Sequence, residues 1–336
     1  MPDSSLAALI LIVALAIGFG LVNGFNDAAN AIATVVGTRV LSPRNAILLA
    51  AIANLAGALT GLEVAKTIGK GILIPDAISN ITVIAALASV IVWGSIATYL
   101  GLPISITHGF VAGLAAAGIA LVGTQSVVWS KIAQVGSSVA IAPVLGFIGG
   151  FALMVTLLWL FRRVAPDKIQ LVFGRLQCLT AAFMAYSHGK NDGQMPIGVI
   201  TMGMVIYSGN TDLWNNVPFW IIIVSALSIS TGTAVGGWRV IKTLGTRVTL
   251  LRPIHGFAAE ASAATVIELA SHYGIPVSTT HCISSSIMGV GATRRLSAVR
   301  WGVAGNIVTA WVLTFPICGL LGYLFAKLLF LIFGSG

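Results

Sequence analysis

Gly24-Phe25-Asn26-Asp27-Ala28-Ala29-Asn30 sets one acid among amides inside an otherwise apolar stretch. Asn23, Asn26 and Asn30 all lie within four residues of Asp27. An Asp at the centre of a membrane helix costs about 2.5 kcal/mol or more, so a chain that keeps one there is marked for function. The second half repeats the Gly-x-Asn-Asp core as Gly189-Lys190-Asn191-Asp192.

The surroundings justify the membrane reading. The 336 residues are 57% hydrophobic and 8% charged, with a mean hydropathy of +0.99. A soluble domain is roughly 25% charged, so too few charges are present to cover a water-facing surface. The net charge of +9 does not point to nucleic acid, because the basic residues sit in short loops between apolar runs. Cys178, Cys282 and Cys318 make an odd set within or beside apolar segments and imply no disulfide framework. Met1–Ser5 lacks the basic region of a cleaved signal peptide, so the run that follows is kept as the first helix.

Crossing a bilayer takes about 20 apolar residues. Candidate spans are 6–36, 45–62, 78–100, 132–161, 177–206, 218–237, 257–271 and 302–333. The runs 109–122 and 282–292 are shorter and rich in Gly, Ala or Ser, which suggests broken or re-entrant pieces. Counting every run gives ten crossings. Each short run follows a similar phrase, Gly101-Leu102-Pro103-Ile104-Ser105-Ile106-Thr107-His108 and Gly274-Ile275-Pro276-Val277-Ser278-Thr279-Thr280-His281. A third matched pair is Gly61-x-Glu63-Val64-x-Lys66-Thr67 and Gly237-x-Arg239-Val240-x-Lys242-Thr243. The offsets agree (189 − 24 = 165, 237 − 61 = 176, 274 − 101 = 173) and the order is kept. Two homologous halves follow, 1–163 and 164–336.

The basic loops decide their relative orientation. Loop 37–45 carries Arg39 and Arg44, whereas its counterpart 208–217 has no basic residue. Loop 63–76 balances acids and bases, whereas 239–252 carries Arg239, Lys242, Arg247 and Arg252. Loop 123–131 offers only Lys131, whereas 293–300 offers Arg294, Arg295 and Arg300. Equivalent loops with opposite positive-inside signatures lie on opposite sides. The expected fold is therefore an all-α polytopic protein of the cell membrane, built from two inverted-topology repeats with broken or re-entrant helical hairpins. Its linker, with Arg162, Arg163, Lys168 and Arg175, is cytoplasmic and both termini lie outside.

Inverted repeats with broken segments are a plan of secondary transporters, whose sites lie near the midplane at the repeat interface. The Asn-Asp pairs offer oxygens suited to a hard cation, and two facing carboxylates repel unless cations sit between them. The Ser-x-Thr-His phrases open helices whose N-termini attract anions. Together they describe an anion bound with cations; Na⁺ fits the oxygen-rich set, and protons could serve through Asp27, Asp192 or a histidine.

These motifs resemble those of the inorganic phosphate transporter (PiT) family. Gly24-Phe25-Asn26-Asp27-Ala28-Ala29-Asn30-Ala31 is similar to its signature Gly-Ala-Asn-Asp-Val-Ala-Asn-Ala, and Ser187-His188-Gly189-Lys190-Asn191-Asp192-Gly193-Gln194 resembles the second copy in the prokaryotic branch. The Pro-x-Ser-x-Thr-His phrases also fit, so the resemblance covers essentially the whole chain. It implies symport of inorganic phosphate with Na⁺ or H⁺, and no cofactor beyond the coupling ion. Carried over, Asn23, Asn26, Asp27, Asn191 and Asp192 are the expected ion positions, shared with phosphate. Ser105, Thr107, His108, Ser278, Thr280, His281 and Gln194 are the expected substrate contacts. Phe25 and Lys190 depart from the family's usual Ala, and Lys190 puts a cation beside the second motif, which would make the two ion sites unequal.

Blander readings stand beside this one. The hydroxyls can bond backbone carbonyls, as they do in many membrane helices, and His108 and His281 can merely stabilise the hairpin starts. His188 has no evident counterpart in the first half, and His255 and His272 read as interfacial. Glu63, aligned with Arg239, reads as solvated or paired. Glu260 and Glu268 are candidates for an ion path or for pairing with an Arg. Gly57-x-x-x-Gly61, Gly146-x-x-x-Gly150 and Gly232-x-x-x-Gly236 fit helix–helix contacts, and a homodimer and contacts with membrane lipid are compatible with such a chain. Two other classes compete. Ser105/His108 and Ser278/His281 could belong to an intramembrane Ser-His hydrolase, but an enzyme needs one activated nucleophile with an oxyanion hole, not a symmetric pair. An anion channel would line its pore with Arg or Lys, against two acids here. Another tetrahedral oxyanion remains an alternative to phosphate.

Overall fold

The computed structural model describes residues 5–334. Most of the N-terminal Met1–Ser5 reading therefore lies outside the described residues. Regular structure among them is helical apart from one antiparallel bridge, Leu73 with Val127. The first half holds α1 (Leu6–Gly37), α2 (Pro43–Ala58), α3 (Glu63–Gly71), α4 (Asn80–Leu100), α5 (Ile106–Val122) and α6 (Trp129–Leu160). After a short linker come α7 (Pro166–Asp192), α8 (Gln194–Ser208), α9 (Phe219–Val235), α10 (Trp238–Lys242), α11 (Pro253–His272), α12 (Thr279–Ala292) and α13 (Trp301–Phe333). A π-turn, Thr243–Arg247, continues α10.

Local sequence sets the helix starts. Ser42 caps α2 by accepting from Asn45 N (3.4 Å), and Ser79 forms a capping box with Thr82 at α4. Pro43, Pro166 and Pro253 stand in the first turns of α2, α7 and α11, where a missing N–H costs nothing.

Five helical stretches are long and apolar enough to cross a membrane: α1, α4, α6, α7 with α8, and α13. The pairs α2/α3 and α9/α10 bend by 74° and 61° at their breaks, and counting each as one span gives at most seven. By length and composition, and among the described residues, that is fewer than the ten crossings expected from hydropathy, because α5, α11 and α12 do not reach the length or apolarity of a span. Helices α4 and α11 are arms of hairpins. Gly101 (φ +75°) and Gly274 (φ +64°) turn the chain in left-handed conformations open chiefly to glycine, and the Pro-containing loop then leads straight into α5 or α12. At 1.5 Å per residue, α5 (17 residues) and α12 (14 residues) fall short of a ~30 Å hydrocarbon core.

Contacts recur in matched pairs between the halves. Helix α1 packs on α9 and α2 on α7, while α5 packs on α13 and α12 on α6. Thr67 Oγ donates to Gly274 O and Thr243 Oγ to Gly101 O, both at 2.9 Å. Each break thus braces the other half's hairpin tip. The loops rich in basic residues also gather at one end: Gly37 lies against Gly245, Val40 against Gly174, and Arg300 bonds to Thr246 O.

Two apolar clusters flank the middle of the molecule. Ile12, Ala16 and Phe19 of α1 join one, with α3, α4, α5 and α8. Ala29 to Val35 join the other, with α2, α7, α11 and α12. Between them lies the Asn-Asp motif. On the outside, Ile141, Val144 and Ile148 of α6 and Val312, Leu320 and Leu328 of α13 are exposed; apolar surface of that extent is suited to lipid.

The helix pairs closest to the motif are glued by glycine. A Cβ on Gly57 would lie 2.0 Å from Tyr186 O, and one on Gly232 2.2 Å from Leu21 O. Gly57→Ala and Gly232→Ala are expected to destabilise the protein by about 1–3 kcal/mol each, read as a lowered Tm in detergent. Gly136 in α6 has open space around it, so Gly136→Ala should leave Tm unchanged or raise it, Ala being favoured over Gly by up to about 1 kcal/mol in a helix.

Candidate functional site

Asp27 lies within α1 and Asp192 is the last residue of α7, and the fold brings them together. Asp27 (3% exposed) and Asp192 (1% exposed) face each other across His188, which is fully buried. His188 Nε2 lies 3.2 Å from Asp192 Oδ2 and 3.6 Å from Asp27 Oδ2. His188 and Asp192 are four residues apart on α7, and so share one face of it.

A hydrogen-bond chain fixes the tautomer. Asn54 Nδ2 donates to Thr233 Oγ (3.0 Å), whose own proton goes to Ile229 O (2.9 Å). Asn54 Oδ1 is then the acceptor 2.7 Å from His188 Nδ1, which carries a hydrogen. The other ring nitrogen faces two carboxylates. Such an arrangement calls for a proton shared between Nε2 and a carboxyl group, or for a cation between the three groups. Ligand atoms of Asp27, His188 and Asp192 all lie within 4.8 Å of one another.

The hairpin starts close the site from the other side, and they do so crosswise. Thr107 of the first half donates to Asp192 Oδ1 (3.0 Å), and Thr280 of the second half donates to Asp27 Oδ1 (2.9 Å). Thr279 adds a bond to Asp192 Oδ2 (2.7 Å). Asn30 Nδ2 donates to both Thr279 Oγ and Thr280 Oγ at 3.1 and 3.0 Å. The first N–H groups of a helix have no partner within it, and apart from those of His108 and His281, which the serine caps take, the starts of α5 and α12 keep such donors beside the threonines.

The remaining expected residues divide by role. Ser105 and Ser278 are helix caps, accepting from His108 N (3.2 Å) and His281 N (3.1 Å). Neither serine hydroxyl meets a histidine ring, so the hydrolase arrangement is absent. His108 and His281 meet each other, ring centroids 5.2 Å apart, and pack on Phe315 and Trp311. His108 Nε2 lies 3.3 Å from Ser138 Oγ. Asn26 and Asn191 brace hairpin tips. Asn26 donates to Thr98 Oγ (2.8 Å) and Leu102 O (3.2 Å), and accepts from Ile104 N (3.4 Å). Asn191 accepts from Ser271 Oγ (2.8 Å) and donates to Val277 O (3.1 Å) and Asp192 Oδ1 (3.2 Å). Their oxygens are engaged, unlike those of Asn23 and Asn30, which are buried and find no hydrogen-bond partner among the described residues.

Gln194 stands apart from the expected substrate set. Its Oε1 accepts from Val64 N (2.9 Å) and Ala65 N (3.1 Å), and its Nε2 donates to Lys190 O (2.6 Å), so it caps α3. Lys190 pairs with Glu268, a lysine where an arginine was expected. Glu260 is fully buried and makes no ion pair among the described residues; Thr34, Thr180 (2.5 Å) and Gln177 (3.3 Å) donate to it instead. Glu63, 60% exposed at its side chain, pairs with Lys66 at 3.6 Å.

Sequence reasoning set aside three central residues: His188, Asn30 and Thr279. The four-residue step from His188 to Asp192 was the available signal, and it placed the imidazole on the motif's own helix face. The two acids are also unequal: among the described residues Asp192 accepts from Thr107, Thr279 and Asn191, whereas Asp27 accepts from Thr280.

Comparisons with known proteins give the family. The chain is 41% identical over 325 residues to a Rhizobium meliloti protein named "Probable low-affinity inorganic phosphate transporter", covering 96% of this chain and 97% of that one. A Bacillus subtilis protein of the same name is 39% identical over 333 residues, covering 98% and 100%. A solved structure described as "The sodium-dependent phosphate transporter" superposes with a TM-score of 0.90 at 28% identity, covering 97% of this chain and all of that one. The profile of the phosphate transporter family matches residues 23–322, and the chain belongs to that family of membrane transporters.

Proposed function

We propose that the chain imports inorganic phosphate by Na⁺ symport, through alternating access at a site between two inverted repeats, 1–163 and 164–336. The observation that carries this reading is the crossed pair of contacts, Thr107 to Asp192 and Thr280 to Asp27. Each hairpin start is tied to the acid of the opposite half, so the site exists only where the halves meet. The sodium-dependent relative of closely similar fold supports the choice of ion.

In this reading the free oxygens of Asp27, Asn23 and Asn30 receive the coupling cations, and Asp192 completes the cluster. Cation loading relieves the repulsion that two buried carboxylates exert on each other and on an arriving anion. Phosphate then takes the exposed N–H groups and hydroxyls at the starts of α5 and α12. Thr107, Thr279 and Thr280 are bonded to acids in this structure and would turn to the anion as the cations bind. His108 and His281 back the hairpin starts, and Ser105 and Ser278 hold them in helical form. Gathering of the basic loops at one end supports a cell-membrane protein with that end cytoplasmic and both termini outside.

His188 favours a second reading. A proton on Nε2 would supply the positive charge between the acids, making H⁺ the coupling ion at the same site.

Radiolabelled phosphate uptake into proteoliposomes separates the two. Concentrative uptake under an inward Na⁺ gradient, and none under a H⁺ gradient alone, is the expected result. Uptake driven by H⁺ alone would transfer the coupling role to His188 and its acids. No concentrative uptake with either ion would remove phosphate symport.

Asp27→Asn and Asp192→Asn should each lower coupled uptake roughly tenfold or more while the protein remains folded, since bonds to a charged group are worth about 1.5–3 kcal/mol. Normal uptake by both variants would exclude this site. Thr280→Val, which keeps the shape but loses the donor, should raise the KM for Na⁺ or phosphate about tenfold, with Thr280→Ser restoring it.

A further inference from the structure

We infer that the chain carries a second anion site, remote from Asp27 and Asp192, built to hold the phosphate group of an anionic membrane lipid. A cavity of about 490 Å³ opens beside the junction of α12 and α13, with Arg294, Arg295, Arg300, Thr249 and Ser297 among its walls. That volume lies within the range of small-ligand pockets. Three arginines and two hydroxyl-bearing residues line it, and none of its lining residues is an acid.

The arginines are not a loose surface tuft. Arg300 Nη1 lies 3.3 Å from both Thr246 O and Arg247 O, which orients its guanidinium. Arg300 N also donates to Val248 O (2.9 Å), and Thr249 Oγ to Ala298 O (3.0 Å). The 246–249 segment and the 298–300 segment are thus fastened into one wall. A planar fork held as Arg300 is can match phosphate oxygens two at a time, with Arg294 and Arg295 beside it.

The rim identifies the source of the phosphate. Leu250 is 74% exposed, Leu296 68% and Trp301 49%. Trp301 Nε1 donates to Leu296 O (2.8 Å), so the indole is held at the first turn of α13. Large apolar side chains around a basic pocket at the end of a membrane helix describe the headgroup level, with acyl chains continuing along the helix surface. A free phosphate ion has no use for that rim.

The location gives the site a consequence. Arg294 and Arg295 follow directly on α12, whose first residues Thr279 and Thr280 touch the two acids. A lipid bridging Arg294, Arg295 and Arg300 would hold the outer end of that hairpin arm to the start of α13.

The test uses the purified full chain in detergent. Phosphatidylglycerol, phosphatidylcholine and inorganic phosphate are each titrated, with bound adducts counted by native mass spectrometry. Wild type should retain phosphatidylglycerol in preference to phosphatidylcholine. R294Q/R295Q should weaken that retention roughly 25-fold, taking about a fivefold contribution for each arginine. Ser297→Glu, which sets a carboxylate in the pocket and leaves the arginines intact, should do the same. The unliganded Tm of both variants should equal that of wild type. If instead wild type binds one more inorganic phosphate than R294Q/R295Q and shows no lipid preference, the phosphate-group site stands and the free ion is its ligand. Equal retention of lipid and of phosphate by wild type and both variants would overturn the site. The titration reads lipid binding and not transport, so its failure would leave the transport reading untouched.

Discussion

Two carboxylates that face each other inside a membrane impose the constraint on which the rest of this structure depends. Asp27 and Asp192 cannot be left to lipid, and neither can be satisfied by its own helix. The fold answers with hydroxyls from two hairpin starts, two of them held by the Asn30 amide of α1, and with the α7 imidazole set between the acids. For hairpin starts to reach membrane depth, α4 and α11 must stop and turn there. That requirement explains the Gly and Pro at both tips, which would be damaging in an ordinary spanning helix.

Packing carries the same signature. Lipid tails give no hydrophobic incentive for helices to associate, so close approach and interhelical bonds must do it. Around the acids the approach is very close. Gly24 and Gly232 bring α1 against α9, and Gly57 and Gly189 bring α2 against α7, each at distances that leave no room for a Cβ. Larger side chains fill the two clusters on either side, leaving a polar layer between them. Each hairpin leans on the other half's last helix, α5 on α13 and α12 on α6. Neither half could bury its hairpin alone.

Polar side chains away from the centre follow the same rule of local satisfaction. Glu260 is surrounded by Thr34, Thr180 and Gln177, and no cation is spent on it. Lys190 and Glu268 neutralise each other where the second motif departs from the first. That departure makes the two motifs unlike in charge, which fits the unequal satisfaction of the two acids.

The sequence by itself determined the membrane class, the two matched motifs, the hairpin phrases and the family, because these depend on composition and on spacing along the chain. Hydropathy could not tell a spanning helix from a hairpin arm: α4 is apolar enough to cross, and only the turn at Gly101 sends the chain back. His188 lay within reach of sequence reasoning, since a four-residue step fixes a helix face whatever the fold. Tertiary structure alone decided the partners of the acids. Thr107 meets Asp192 and Thr280 meets Asp27 across 85 and 253 residues, and no periodicity encodes such a crossing. It also removed Gln194 from the centre, for α8 turns its first residue towards α3. Spacing records what lies on one helix face; which face meets which is settled only when the helices pack.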